Sequence, residues 1–387
     1  MKVSYVVDHL AHARAGTENQ LFMLLPELSH RYGDELELVC LRENDWLATQ
    51  GDFLGCTVRF FEISNFKSPS SYRNWARLAR HYRDNRPDVV HTFFPVGNIV
   101  GVLAAAAGGV RGIVSSRRDY GEWMRRRYLA ATRFANRFTT GIITNSLAVK
   151  ELTVRTEQYP AEKVHVIPNG IDVTKAHRPA RDEELRRSLG IPADHAVITL
   201  VANFRPMKRH ETLVKAAARV LAVRPNVTFL CVGQDHVAGQ PRRRLALRMA
   251  GELGIADRFL VSHAEGNVLQ YLSFTDVGVN CSYGEGISNA IMEYMACEIP
   301  VVAAASGGNV DLVRDGETGL MFPLDDSECF AGHILRLLGD ATLARRLGVA
   351  GREMLQQRMS VGAMVDATRD VYGAMSGRTV ASRRTAA

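Results

Sequence analysis

Two glutamates, Glu285 and Glu293, stand eight residues apart in YGEGISNAIMEYMACEIPVV, residues 283–302. Two carboxylates at the mouth of a helix could form the acid/base pair of a hydrolase. Gly284 and Gly286 flank Glu285, so the backbone there can turn tightly and let a ligand come close. From about Ile287 the pattern is helical. Ile287, Ile291 and Met295 recur every four residues and mark a buried stripe, while Asn289 and Glu293 share another face. The apolar runs before and after, VGVNCS (277–282) and PVVAAA, read as strands. The helix therefore opens at the carboxyl end of a parallel strand, where open α/β sheets bind ligands and free N–H groups favour anions. A diphosphate could sit there, with the glutamates around it.

Other candidates lie at similar junctions. NFRPMKRHETLV places Arg205 and Lys208 between a strand and a helix. Two cations three residues apart at a sheet's carboxyl edge can clamp a diphosphate and neutralise it as it leaves. The alternative is a solvated basic turn. Ala15-Gly16-Thr17-Glu18 opens a helix after the first strand, and Gly16 could let a backbone N–H approach a phosphate. It is not GxGxxG and has no P-loop lysine, which weakens dinucleotide and P-loop readings. Gly307 and Gly308 mark another strand-to-helix turn.

Strands and helices alternate almost throughout, which predicts parallel sheets covered on both faces. The first series runs from KVSYVVD (2–8) to KVHVIPNGID (163–172), and the second begins at AVITLVAN (196–203). The reading is α/β with two doubly wound, Rossmann-like domains facing across a cleft. The expected divisions are 1–172, a polar linker 173–195, a second domain 196–360, a helix 361–375 that could pack back on the first domain, and a polar tail 376–387.

Composition fits this picture. The 387 residues exceed one ordinary core, and 46% hydrophobic with 23% charged is ordinary for a globular protein. No apolar run is long enough to span a membrane, and MKVSYVVDHL reads as a strand rather than a signal peptide. Six scattered cysteines without CxxC read as reduced thiols in a cytoplasm, not a disulfide framework or zinc site. The net charge of +7 suits anionic partners. No nucleic-acid module is visible, so specific nucleic-acid binding is not expected.

Together these stretches resemble the family 4 glycosyltransferases, with the GT-B fold. Glu285-GISNAIM-Glu293 carries the likeness most specifically, with KVHVIPNGID, GGNVDLV and DGETGLMF in matching order over roughly residues 2–372. The resemblance implies a retaining, metal-independent hexosyltransferase that needs no cofactor beyond a UDP- or GDP-sugar co-substrate. Its acceptor would be a glycan or glycolipid, in cell-surface polysaccharide or glycolipid assembly. Glu285 would contact the donor sugar, Glu293 the ribose, and Arg205 and Lys208 the diphosphate. Gly16 and the N–H groups of Gly286, Ile287, Ser288 and Asn289 would add donor contacts.

Three positions depart from that pattern. Where the family commonly has a cleft histidine, this chain has Arg117, Arg118 and Asp119, within SSRRDYGEW. A guanidinium binds anions but does not act as a base. His9 and His91 are the alternative cleft histidines, each with a structural role as the competing reading. The usual clamp arginine is replaced by Asn203, with Arg205 two residues later, and Arg209 stands where a glycine is usual. The basic, aromatic stretch 117–138, with Trp123, Tyr128 and Phe134, could rest on an anionic membrane at the inner face, shape the acceptor site, or be an ordinary surface helix. Rival functions are an epimerase or hydrolase of the same fold and a non-catalytic nucleotide-sugar binder.

Overall fold

The computed structural model describes residues 1–10, 16–63, 68–121, 126–263 and 267–377. It divides into two units: Met1–Gly170 with Val361–Ala387, and Ile171–Ser360.

In the first unit seven strands form one parallel sheet. They are β1 (Lys2–Val7), β2 (Glu35–Cys40), β3 (Thr57–Phe60), β4 (Val89–Thr92), β5 (Gly112–Arg117), β6 (Gly141–Thr144) and β7 (Val164–Val166), in the order β3-β2-β1-β4-β5-β6-β7. β4 and β6 are buried at every position, as continuous apolar runs covered on both faces should be. The chain moves outward from β1 to β3 and then returns to β4 on the other side, so this sheet's switch point lies between β1 and β4.

The Val361–Ser376 helix completes this unit from the far end of the sequence. Its buried Met364, Val365, Val371 and Tyr372 share a core with Val3, Tyr5 and Leu21. Tyr372 also joins a buried polar contact, its Oη 2.8 Å from Tyr5 Oη and 2.6 Å from His91 Nδ1. At the rim Arg369 donates two hydrogen bonds to Asp34, at 2.6 and 2.9 Å.

The second unit has six parallel strands: β8 (Ala196–Val201), β9 (Val227–Val232), β10 (Phe259–Ser262), β11 (Val277–Asn280), β12 (Val301–Ala304) and β13 (Leu320–Phe322). Their order is β10-β9-β8-β11-β12-β13, which puts the switch point between β8 and β11. The core under the His210–Val223 and Ser327–Gly339 helices is built on Leu200, Phe229 and Phe322.

The polar stretch expected as a linker, 173–195, is part of the second unit. Val173 is buried against Met292 and Met295, and Arg186 lies fully buried within a short helix, Glu183–Ser188. The Arg186 guanidinium donates to the carbonyls of Pro192 (2.5 Å), Ala193 (3.1 Å) and His195 (2.8 Å). Those bonds let a charged residue pack inside, so high polarity did not mean an exposed tether. The tail residues 378–387 lie outside the described residues.

Candidate functional site

At the switch point of the second sheet, the loops after β8 and β11 meet. Tyr283 donates its backbone N–H to Met207 O at 3.0 Å, which ties the glutamate loop to the turn Pro206–Lys208. Across that junction the Lys208 ammonium is ion-paired to the Glu285 carboxylate, with side chains 18% and 11% exposed. Burial, with Arg205 close by, pulls the Lys208 ammonium down to about 7, and the ion pair with Glu285 works against that shift. Arg205 itself is exposed at the start of the turn.

Glu285 is held from behind by the Asn280 amide, which Asn309 in turn positions. Asn280, the last residue of β11, donates to Glu285 Oε2 at 3.2 Å and to Ser288 Oγ at 3.0 Å. Its own Oδ1 accepts from Ser282 N at 2.9 Å and from Asn309 Nδ2 at 3.2 Å. Asn309 is fully buried and also donates to Ala304 O at 3.1 Å. The glycine turn after β12 closes the cradle. Gly307 takes a positive φ of 57°, and Gly308 donates its N–H to Glu285 O at 2.9 Å.

The helix beside it runs Asn289–Ala296, with Ser288 as its N-cap accepting from Ile291 N. It begins two residues later than the period suggested. Ile287 is still buried, and it packs in the same core as Ile291 and Met295. Gly286 and Ser288 are buried at this mouth, and Asn289 is half-buried. Tyr294 pins the helix to β8: its Oη accepts from Val201 N at 2.7 Å and donates to Thr199 O at 3.0 Å. The ring fits only because Gly278 faces it, where a Cβ would come within 2.4 Å. Glu293, next in line, is half-buried, and its carboxylate has no hydrogen-bond or ion-pair partner among the described residues. Burial pushes its carboxyl up to about 7.

Residues 14–175 match the family model described as Glycosyltransferase Family 4, and residues 181–354 match Glycosyl transferases group 1. A D-inositol 3-phosphate glycosyltransferase of Stackebrandtia nassauensis is 30% identical over 319 residues, 78% of this chain and 71% of that protein. The chain belongs to glycosyltransferase family 4. Its fold is GT-B. The crystal structure of Anabaena HepE with UDP superposes with a TM-score of 0.83 at 21% identity, over 97% of this chain and all of HepE. Sucrose-phosphate synthase from Thermosynechococcus elongatus gives a TM-score of 0.78 at 22% identity, covering 97% and 99% of the two chains.

Within this glycosyltransferase the remaining candidates separate. Gly16 is exposed and opens the Gly16–Tyr32 helix; Ala15 before it lies outside the described residues. His9 is exposed just past β1. His91 is buried in β4, between Tyr372 and Ser116 Oγ at 2.9 Å, and burial together with Arg118 holds its imidazole near 3, so it stays neutral. Arg117 faces inward and makes a paired contact with Glu157, at 2.7 and 2.9 Å, so it belongs to the interior of the first unit. Arg118 is half-buried and donates to Asn169 Oδ1 at 2.5 Å. Asp119 is exposed and accepts from Gly121 N at 2.8 Å.

Two departures from the family pattern have local explanations. Asn203 joins neighbouring loops by accepting from Gln234 N at 3.0 Å. Arg209 takes a left-handed φ of 50°, a conformation that glycine reaches without cost. It is compensated by an ion pair with Asp325 and by lying 5.5 Å from the Tyr283 ring centroid. Asn280, Asn309 and Tyr294 were not singled out from the sequence. The signal available was a polar residue ending a buried strand, the N of VGVNCS, where an unpaired amide would be costly.

Proposed function

We propose that this enzyme transfers a hexose-type sugar, with retention and without a metal, from a UDP- or GDP-sugar to an acceptor hydroxyl. The setting would be cell-surface polysaccharide or glycolipid assembly. The reading is carried by the Lys208–Glu285 ion pair at the switch point of the second sheet. HepE, solved with UDP and with UDP-glucose, supports a UDP-sugar as the donor. The Stackebrandtia relative, named for D-inositol 3-phosphate, extends the acceptor classes from glycans and glycolipids to phosphorylated polyols.

In the transfer, the bond from the anomeric carbon to the phosphate oxygen breaks. The acceptor oxygen bonds to the same face of the sugar, and its proton passes to the departing phosphate. Negative charge on the diphosphate grows as that bond breaks, so Lys208 and Arg205 act chiefly on the transition state. Glu285 accepts hydrogen bonds from donor-sugar hydroxyls while Asn280 holds it in place. Glu293 accepts from the ribose hydroxyls, and the amides at Gly286, Ile287, Ser288 and Asn289 complete the donor contacts.

The test is to incubate the protein with UDP- and GDP-sugars in EDTA, with and without candidate acceptors, and follow products by NMR. Transfer with the donor's anomeric configuration supports the reading. Rapid epimerisation or complete hydrolysis without an acceptor would replace it. A donor present at 100 times its Kd should stabilise the fold by about 2.7 kcal/mol.

Peripheral contact with an anionic membrane is part of the proposal. The Arg126–Ala135 helix exposes Tyr128 and, with the turn after it, Phe134 and Phe138 beside Arg126, Arg127, Arg133 and Arg137. Trp123 lies outside the described residues. Among the described residues no helix is long and apolar enough to cross a membrane. Cosedimentation with anionic but not neutral vesicles is the expected result.

A further inference from the structure

An open cavity of about 700 Å³ lies at the amino edge of the second sheet. Ala196 opens β8, Val277 opens β11 and Pro300 precedes β12, and all three line it. The loops that carry Lys208 and Glu285 follow the opposite ends of β8 and β11, and β8 rises about 3.3 Å for each of its six residues. The cavity is therefore separate from the donor site proposed above, and its volume is that of a small-molecule pocket.

Arg178, Arg224, Arg345 and Arg352 line this cavity, with the carboxylates of Asp276 and Glu298. Four guanidiniums against two carboxylates leave an excess of two positive charges. Asp276 is engaged at the strand edge, where its Oδ2 accepts from Val197 N at 2.7 Å, and Glu298 is exposed, 3.8 Å from Arg352 Nε. Carbonyls near helix ends take only part of the donor supply. Arg178 donates to Ser273 O and Thr275 O, at 3.3 and 2.6 Å, and Arg224 to Leu338 O at 2.7 Å. The Arg345 guanidinium has no hydrogen-bond or ion-pair partner among the described residues. Guanidiniums that share a pocket repel one another, and a phosphate group offers acceptor oxygens to several of them at once.

One helix joins this cavity to the donor site. Asn289, Glu293 and Cys297 are spaced by four along Asn289–Ala296 and its C-cap, so they follow one face from the helix mouth to the cavity, which Cys297 lines. At the cavity end Arg352 donates to Ala296 O. Burial, and after it the Glu293 carboxylate, push the Cys297 thiol up to about 11, while Arg178 and Arg352 pull it down. The cavity's cations and Glu293 thus lie within electrostatic reach of one side chain.

We propose that this cavity is an effector site for a compact phosphate-bearing anion, and that its occupancy weakens nucleotide binding at the other end of the helix. The coupling rests on the ribose role proposed for Glu293; the anion site itself does not. The cavity's arginines favour the ionised Glu293 carboxylate that accepts from ribose hydroxyls. A bound anion cancels that field, so Glu293 takes up a proton more readily. The effect is reciprocal, and nucleotide binding weakens the anion's hold by the same factor.

The test is calorimetric titration of the whole protein, first saturated with UDP, with inorganic phosphate and with glucose 6-phosphate. UDP fills the Arg205 and Lys208 clamp, so saturable heat from either probe reports a second site. The expected result is binding of at least one probe, weakened about tenfold or more in Arg345→Glu and in Arg224→Gln. UDP affinity without the probe should be unchanged in both variants, and a retained unfolding midpoint shows that each is folded. Tighter binding of glucose 6-phosphate points to a phosphate ester, and equal binding to phosphate alone. At pH 7, where Glu293 titrates, the bound probe should raise the Kd for UDP about twofold to fivefold, and Glu293→Gln should abolish that effect. No saturable binding of either probe, or binding that both arginine variants keep, overturns the effector site. An unchanged Kd for UDP with the probe bound overturns the coupling. Failure of UDP to bind at all sinks the donor reading instead, and the probe titration with the arginine variants then decides the cavity by itself.

Discussion

Lys208 and Glu285 reach each other from the loops that follow β8 and β11, the two strands between which the second sheet reverses its winding. Neither loop alone places a cation beside a carboxylate. The pairing predicts unequal roles. Lys208→Met removes the charge proposed to face the leaving group and should lower kcat by about 10²–10³-fold. Glu285→Gln should lower kcat by about 10²-fold yet leave the Kd for UDP, which carries no sugar, within about threefold. Steady-state kinetics with calorimetry of UDP decides this. An unchanged kcat in Glu285→Gln would remove that residue from the sugar.

Glu293 titrates near 7 because burial disfavours its charge, against an ordinary value of 4.5. A raised folded-state pKa gives stability that is fully present below about 4.5 and is lost as pH rises through 7. Glu293→Gln should therefore raise the unfolding free energy at pH 8, by roughly 1–3 kcal/mol, and change it little near pH 4.5. The same variant should bind UDP about tenfold more weakly at pH 8, because a neutral amide is a poorer acceptor for ribose hydroxyls. Equal UDP affinity in both proteins would disprove the ribose role.

In the proposed reaction Asn280 and Asn309 act only through Glu285 and Ser288, which Asn280 contacts. Asn280→Leu leaves Glu285 Oε2 and Asn309 Nδ2 without this partner and should cost about 1–3 kcal/mol. Its kinetic effect should be a drop in kcat with UDP affinity retained, and Asn280→Asp should not restore it, since a carboxylate repels Glu285. If both variants lose stability but keep kcat, the amides serve the fold alone.

The Arg117–Glu157 pair belongs to the interior of the first unit, where Asn136 also donates to Glu157, at 2.7 Å. Arg117→Met strands a buried carboxylate and should destabilise by about 3–5 kcal/mol, while Arg117→Met/Glu157→Leu should recover most of that loss. Urea unfolding measures both. Turnover per folded molecule should stay unchanged; a kcat loss in the stable double variant would place Arg117 at the acceptor after all.

Much of this was legible from residue types and spacing. Alternating strand and helix periods report which faces are buried, and that information is local. It located the parallel sheets, the helix that follows Glu285, and Lys208 in the loop between a strand and a helix. The sequence did not show that 173–195 folds into the second unit, because the carbonyls that receive Arg186 are set by a turn that polarity does not encode. Nor did it separate Arg117 from Arg118, which look alike in composition.

The amino-acid sequence by itself determined the α/β class, two winding series, and the motif that placed the chain in glycosyltransferase family 4. These depend on short-range periodicity and on a few side chains close together in the chain. The tertiary structure alone decided which charges are spent and which remain available. It gave Arg117 to Glu157 and, among the described residues, paired Arg118 with the Asn169 amide rather than a carboxylate. It locked His91 between Tyr372 and Ser116, and set Asn280 and Asn309 behind Glu285. Apart from Asn280, five residues before Glu285, those partners come from distant strands, helices or loops. Only the order of strands in the two sheets, which no local pattern specifies, brings them within hydrogen-bond reach.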